Sequence, residues 1–248
     1  MSGIRDNHTR GNVAEFLKSH IQEGSQLSVV SAFFTIYAYE ALKESLDRIG
    51  HMDFLFGEPR FLRALDPDKT ETKSFIIDST GLKLANTLTQ KRIAKECADW
   101  IRNKVSVRSV RQASFLHGKM YHISTNGVDE AILGSSNFTV HGLGLAKGNN
   151  NIELNLVVDS NRDRSDLKTW FDDLWKDTAL IEDVKDEVLQ YLEQLYQNQS
   201  PEFIYYKTLT RSLRNSLVMP ADPTKTSEGQ RFSIATFGGR SSISRKTA

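Results

Sequence analysis

The alternation of apolar and polar positions divides this chain into a readable series of elements. Val13, Phe16, Leu17 and Ile21 recur at helical spacing, Glu23, Gly24 and Ser25 mark a turn, and the run Leu27 to Phe34 is strand-like. Tyr37 to Ile49 predicts a second helix, His51 to Gly57 a short buried strand, and Glu58 to Pro67 a loop held by Pro59 and Pro67. A βαβ unit is therefore expected early in the chain. From Leu82 to Asn103 the apolar residues Leu82, Leu84, Leu88, Ile93, Cys97, Trp100 and Ile101 read as a helix with a break near Thr89. The pattern then turns strand-like: Val105, Val107 and Val110, Phe115 to Ile123, Glu130 to Gly134, and Ile152 to Val158.

Thr125-Asn126-Gly127 is a strong hairpin signal, and a Gly/Asn-rich stretch runs from Gly142 to Asn151. Beyond Asp159 two apolar stripes predict core-facing helices. They are Leu167, Trp170, Phe171, Leu174 and Trp175, then Val184, Val188, Leu189, Leu192 and Leu195. After Leu217 no period persists among the Ser, Thr, Gly and charged residues, which predicts a disordered tail. The class is α/β, with three divisions: residues 1–178 as the main domain, 179–216 as a C-terminal helical extension, and 217–248 as a flexible basic tail.

Composition narrows the partners. With 39% hydrophobic residues among 248, the chain can bury a full core. No apolar run is long enough to cross a bilayer, so the expectation is a cytoplasmic protein with no membrane partner. The single cysteine, Cys97, allows no intrachain disulfide and no cysteine metal cluster. A net charge of +1 means that affinity for a polyanion must come from local patches. Lys104, Arg108 and Arg111 are one candidate, on a strand leading toward His117; the tail from Lys207 onward is another.

The chemistry concentrates in a few residues. His117 and Lys119 stand two apart on a predicted strand, so both side chains would share a face and could share one phosphate. Gly134-Ser135-Ser136-Asn137 ends the next strand, and Asn151-Ile152-Glu153 begins a third, which could bring Asn137 and Glu153 to the same end of the sheet. This order resembles the phospholipase D superfamily, whose pattern is His-x-Lys, then Gly-Ser-x-Asn, then a Glu on the following strand. Phe115 to Tyr121, Ala131 to Gly142 and Trp170 to Trp175 look more specifically like the phospholipase D-like domains attached to bacterial helicases and restriction nucleases. One departure stands out: Ser124 occupies the position of an aspartate, usually structural, that often follows the lysine by five residues.

The resemblance implies a mixed β-sheet flanked by helices on both faces and a catalytic set of His117, Lys119, Ser135, Asn137 and Glu153, with no metal and no cofactor. His117 would attack phosphorus as the neutral imidazole, Lys119 and Asn137 would stabilise the charged oxygens, and Glu153 would orient His117. A second histidine is needed to protonate the leaving oxygen. None of His8, His20, His51, His122 and His141 starts another His-x-Lys, and no internal repeat supplies one. A homodimer with the active site at its two-fold interface is therefore expected. The function implied is a metal-independent nuclease acting on DNA within a restriction or defence system, beside a helicase or target-recognition domain outside this chain. Two alternatives remain open: phospholipid hydrolysis or transphosphatidylation, and a non-catalytic DNA-binding and dimerisation module.

Overall fold

The βαβ unit forms as the apolar runs require. Strand β2 (Gln26–Ser31) and β3 (His51–Phe56) pair in parallel, Leu27 opposite Met52 and Val29 opposite Phe54, with helix α2 (Ile36–Leu46) between them. Before them, β1 (Ile4–Arg5) leads to α1 (Val13–His20), which starts in a capping box: Asn12 accepts from the Glu15 amide, and Glu15 reaches back to the Asn12 amide. In this computed structural model the residues described are 3–57, 84–112 and 115–196, so the proposed loop at Glu58 to Pro67 and the proposed tail at 217–248 lie outside them.

Helix α3 (Leu84–Lys104) runs through Thr89 without the expected break and feeds β4 (Val105–Val110), parallel to β3. The hairpin β5 (Lys119–Thr125) and β6 (Val128–Gly134) turns at Asn126 and Gly127, both at positive φ, as an Asn-Gly turn should. After β7 (Asn155–Val158) come α4 (Asn161–Lys176), β8 (Ile181–Asp183) and α5 (Lys185–Tyr196). The strands form one mixed sheet in the order β1-β7-β6-β5-β2-β3-β4-β8.

Alternation along the strands sends residues to two cores. Val29, Phe54, Val107, Tyr121 and Ile132 face α1, α2, α3 and α5, while Val30, Leu55, Val110 and Met120 face Phe171 of α4. Helices thus cover both faces. Residues 181–196, within the expected C-terminal helical extension, supply the edge strand β8 and the helix α5 that packs on α3. Within the α4 stripe Phe171 is fully buried, but Trp170 is 44% exposed and is not core. No helix among the described residues is long and apolar enough to cross a membrane.

His122 lies on the α4 side of β5 and is wholly buried, and neither ring nitrogen has a hydrogen-bond partner among the described residues. Burial depresses its pKa below the usual 6.5, against the opposing pull of Asp129 at 4.0 Å. The folded protein therefore holds a neutral imidazole that the unfolded chain protonates below about pH 6.5. Stability should fall as pH drops from there toward the depressed folded pKa, because the unfolded state binds the extra proton. Denaturant titrations between pH 7 and 5 should show a shallower pH dependence in His122→Leu; equal slopes in both proteins would mean that His122 is not the group responsible.

Candidate active site

Strands β1, β2, β3, β4 and β6 run one way and β5, β7 and β8 the other, so the ends after Arg5, Ser31, Phe56 and Gly134 meet the starts of β5 and β7. His117, Lys119, Ser135, Asn137 and Glu153 all sit at this end. The C-terminal end of parallel strands is the usual place for a site in an open α/β sheet.

The turn carrying Asn137 is fixed by its neighbours. The Ser135 amide donates to Leu154 O (3.1 Å), the Ser136 amide to Asn155 Oδ1 (3.2 Å), and the Tyr121 hydroxyl to Ser136 O (2.8 Å). Asn155, buried beneath the turn, also donates from Nδ2 to Ser136 Oγ and Arg5 O, which joins β1 to the site. Burial, and after it the Glu153 carboxylate, pushes the Tyr121 hydroxyl well above its ordinary pKa, so it serves as a neutral donor. Gly134 has no room for a side chain, since a Cβ there would stand 2.2 Å from Leu154 O.

Asn137 is oriented through its oxygen. Oδ1 accepts from the Ala32 amide (3.0 Å) and lies 3.2 Å from Ser31 Oγ, which is also 2.7 Å from Phe33 O and has one proton to donate between the two. With Oδ1 so engaged, Nδ2 has no partner among the described residues and is left to donate outward. Ser31 Oγ in turn accepts from the Phe138 amide (2.9 Å), which ties the end of β2 to the Asn137 turn.

His117 does not lie on a strand, as expected from Phe115 to Ile123. β5 begins only at Lys119, paired with Gly134. The preceding segment passes close to Gly57, where a Cβ would meet Leu116 O at 2.5 Å. His117 is exposed, and Lys119 Nζ donates to its carbonyl oxygen (2.8 Å), so the pair is joined through backbone as well as by spacing. Glu153, just before β7, accepts from Ser135 Oγ through one oxygen and from Asn151 Nδ2 (3.2 Å) through the other. It makes no hydrogen bond to His117 among the described residues, so the expected orienting contact is absent from this arrangement.

The three cations expected to approach the substrate are committed elsewhere. Lys104 sits at the opposite end of the sheet, donating to Asp47 O (2.5 Å) and Ile49 O (2.8 Å). Arg108 donates to Trp175 O and stacks 4.7 Å over the Trp175 ring. Arg111 pairs with Glu182 (2.6 Å) and donates to Thr178 O. The strand order explains this, because β3 and β2 separate β4 from β5. Sequence reading missed Ser31, Tyr121 and Asn155; an asparagine opening the apolar run Asn155 to Val158 was the one available signal. Among the described residues no three His, Cys, Asp or Glu side chains gather as they would around a metal ion.

Comparison with known proteins finds a partial match. Residues 62–175 match the family model described as cardiolipin synthase, PLD-like domain. The match supports the phospholipase D superfamily. It spans the whole His117 to Asn137 pattern and Glu153. No curated protein matches. Among solved structures, polyphosphate kinase from Porphyromonas gingivalis aligns at 11% identity over 87% of this chain and 29% of its own, with a TM-score of 0.48. Phosphatidylserine synthase from Haemophilus influenzae Rd KW20 aligns at 14% identity over 82% and 43%, with a TM-score of 0.41. The chain thus spans less than half the length of either protein, and likeness of this degree carries no functional argument.

Proposed function

We propose that this chain is a metal-independent phosphodiesterase acting on nucleic acid, DNA foremost, through a phosphohistidine on His117, within a restriction or defence system. One observation carries the reading: an exposed His117 beside Lys119 and an Asn137 amide group held outward by the Ala32 amide, at one end of the sheet. The His117 lone pair attacks phosphorus and the bond to the leaving oxygen breaks as a second histidine protonates that oxygen. The same second histidine then takes a proton from water, the resulting hydroxide attacks phosphorus, and the N–P bond breaks. Lys119 Nζ and Asn137 Nδ2 donate to the non-bridging oxygens as charge builds. Glu153, fixed between Ser135 and Asn151, sets the local field.

The second histidine comes from a second copy of the chain. Phe115 beside His117, and Ile152 and Leu154 on either side of Glu153, are 50%, 77% and 68% exposed, a concentration of apolar surface around the site that suits a partner rather than water. A second reading is favoured by the name of the matching family, which points to a phospholipid as the phosphodiester.

One assay in excess chelator separates these readings. The purified protein is offered single- and double-stranded DNA, RNA, and vesicles of anionic phospholipid. DNA cleavage that persists in EDTA is the expected result, because protein side chains supply all the charge stabilisation. Loss in EDTA with recovery on adding Mg²⁺ or Zn²⁺ would reject the mechanism. Lipid turnover without nucleic-acid cleavage would replace the substrate.

A further inference from the structure

Lys104, Arg108 and Arg111 already donate to partners within the fold, which turns attention to other cations at the site end of the sheet. Two loops stand there, residues 6–12 between β1 and α1 and residues 139–151 between Asn137 and Glu153. The first is held from within. Asp6 Oδ1 accepts from the amides of His8 (2.8 Å), Thr9 (2.9 Å) and Arg10 (2.9 Å), and the Thr9 hydroxyl donates to Oδ2. These bonds, led by the one from Arg10, bring the Asp6 carboxyl down to a pKa of about 2. Asp6 is therefore ionised at neutral pH, and its hydrogen bonds brace the loop backbone.

The two loops are also locked to each other and to the site. Asn7, at φ 60°, donates from Nδ2 to Gly142 O (2.7 Å) and accepts from the Val13 amide. Gly144 packs so closely that a Cβ would come within 2.5 Å of Asn12 Cβ. Asn150 clamps the turn around Lys147 by bonding both the amide and the carbonyl of Ala146. The Glu153 amide donates to Asp6 O (3.1 Å), joining the first loop to the catalytic set.

These rigid loops present Arg10 and Lys147, both exposed, with side chains that have no partner among the described residues. Several cations elsewhere on the fold sit in ion pairs: Lys43 with Asp47, Arg92 with Glu40 and Glu96, Arg164 with Glu130, Lys168 with Asp172. Two exposed cations on braced loops at the site end of the sheet suit a second phosphate.

We propose that Arg10 and Lys147 form a second phosphate subsite, which holds the backbone of a nucleic-acid strand a few nucleotides from the bond that His117 attacks. The proposal rests on the nucleic-acid reading above. β1 lies three places from β5 in the sheet, about 14 Å at roughly 4.8 Å per strand. At roughly 3.4 Å of axial rise per nucleotide, that distance corresponds to about four nucleotides of a stacked strand.

The test compares the full chain with the double variant Arg10→Gln/Lys147→Gln on a single-stranded oligonucleotide and on bis(p-nitrophenyl) phosphate, which has one phosphate and cannot reach the second subsite. KM for the oligonucleotide should rise about tenfold, the scale of losing two solvent-exposed ion pairs. The slope of log affinity against log salt should shrink by about 1.4, for two phosphate contacts on a single strand. Turnover of the small diester should not change. An unaltered oligonucleotide KM and salt slope would overturn the subsite, and so would an equal loss on both substrates, which would place these residues in the catalytic machinery or the fold. If the wild type turns over the small diester and no oligonucleotide, the nucleic-acid reading itself has failed.

Discussion

Replacing His117 by Asn should lower phosphodiester turnover by about four orders of magnitude, the scale of losing a nucleophile whose binding partners remain in place. Because His117 is exposed, outside β5 and not in either core, circular dichroism and thermal unfolding should stay as in the wild type. Its neighbours offer a graded comparison. Lys119→Ala removes a donor to the developing charge and also frees the His117 carbonyl, and should cost about a hundredfold or more in kcat. Asn137→Asp is the cleaner probe. It keeps an oxygen to accept from the Ala32 amide but replaces the outward NH₂ with a second carboxylate oxygen, so the turn survives while a donor becomes a repulsive acceptor. A loss of similar size with KM little changed is expected. Near-normal turnover in His117→Asn would show that the histidine is not the nucleophile.

Mixing His117→Asn subunits with wild type should suppress activity out of proportion to dilution. The proposed chemistry uses two histidines at one phosphate, and the chain holds one His-x-Lys, so in the proposed dimer each working site would draw on two chains. With mutant in roughly ninefold excess, a wild-type chain pairs with another wild-type chain only about one time in ten, and specific activity per wild-type subunit should fall by about that factor. Sedimentation should show the dimer at the same concentrations. Activity that stays proportional to the wild-type fraction would mean that each chain works alone, with an acid supplied in cis.

Much of this arrangement is legible in the sequence. The apolar runs from Leu27 and His51, bounded by turn residues, gave the parallel pair, and Asn126-Gly127 gave the hairpin that puts Lys119 opposite Gly134. Strands β1 and β8 were not legible, since two and three residues carry no period. Phe115 and Leu116 read as strand, yet Leu116 runs over the end of β3 at Gly57 and so lies outside the ladder. The charge of Lys104, Arg108 and Arg111 was plain, but their partners stand 55, 67 and 71 residues away along the chain. Local spacing cannot reveal such partners. The same reason hid Asn155 and Ser31, whose bonds to the Asn137 turn are made only when β2, β6 and β7 come together.

The most direct measurement is the mass of the protein quenched in alkali during turnover of a phosphodiester in EDTA, followed by peptide mapping. A phosphoryl adduct on His117 that appears with substrate, decays as substrate is exhausted, and is missing from His117→Asn is the expected result. Turnover at the wild-type rate with His117 unmodified, or an adduct on any other residue, would contradict the assignment of His117 as the nucleophile.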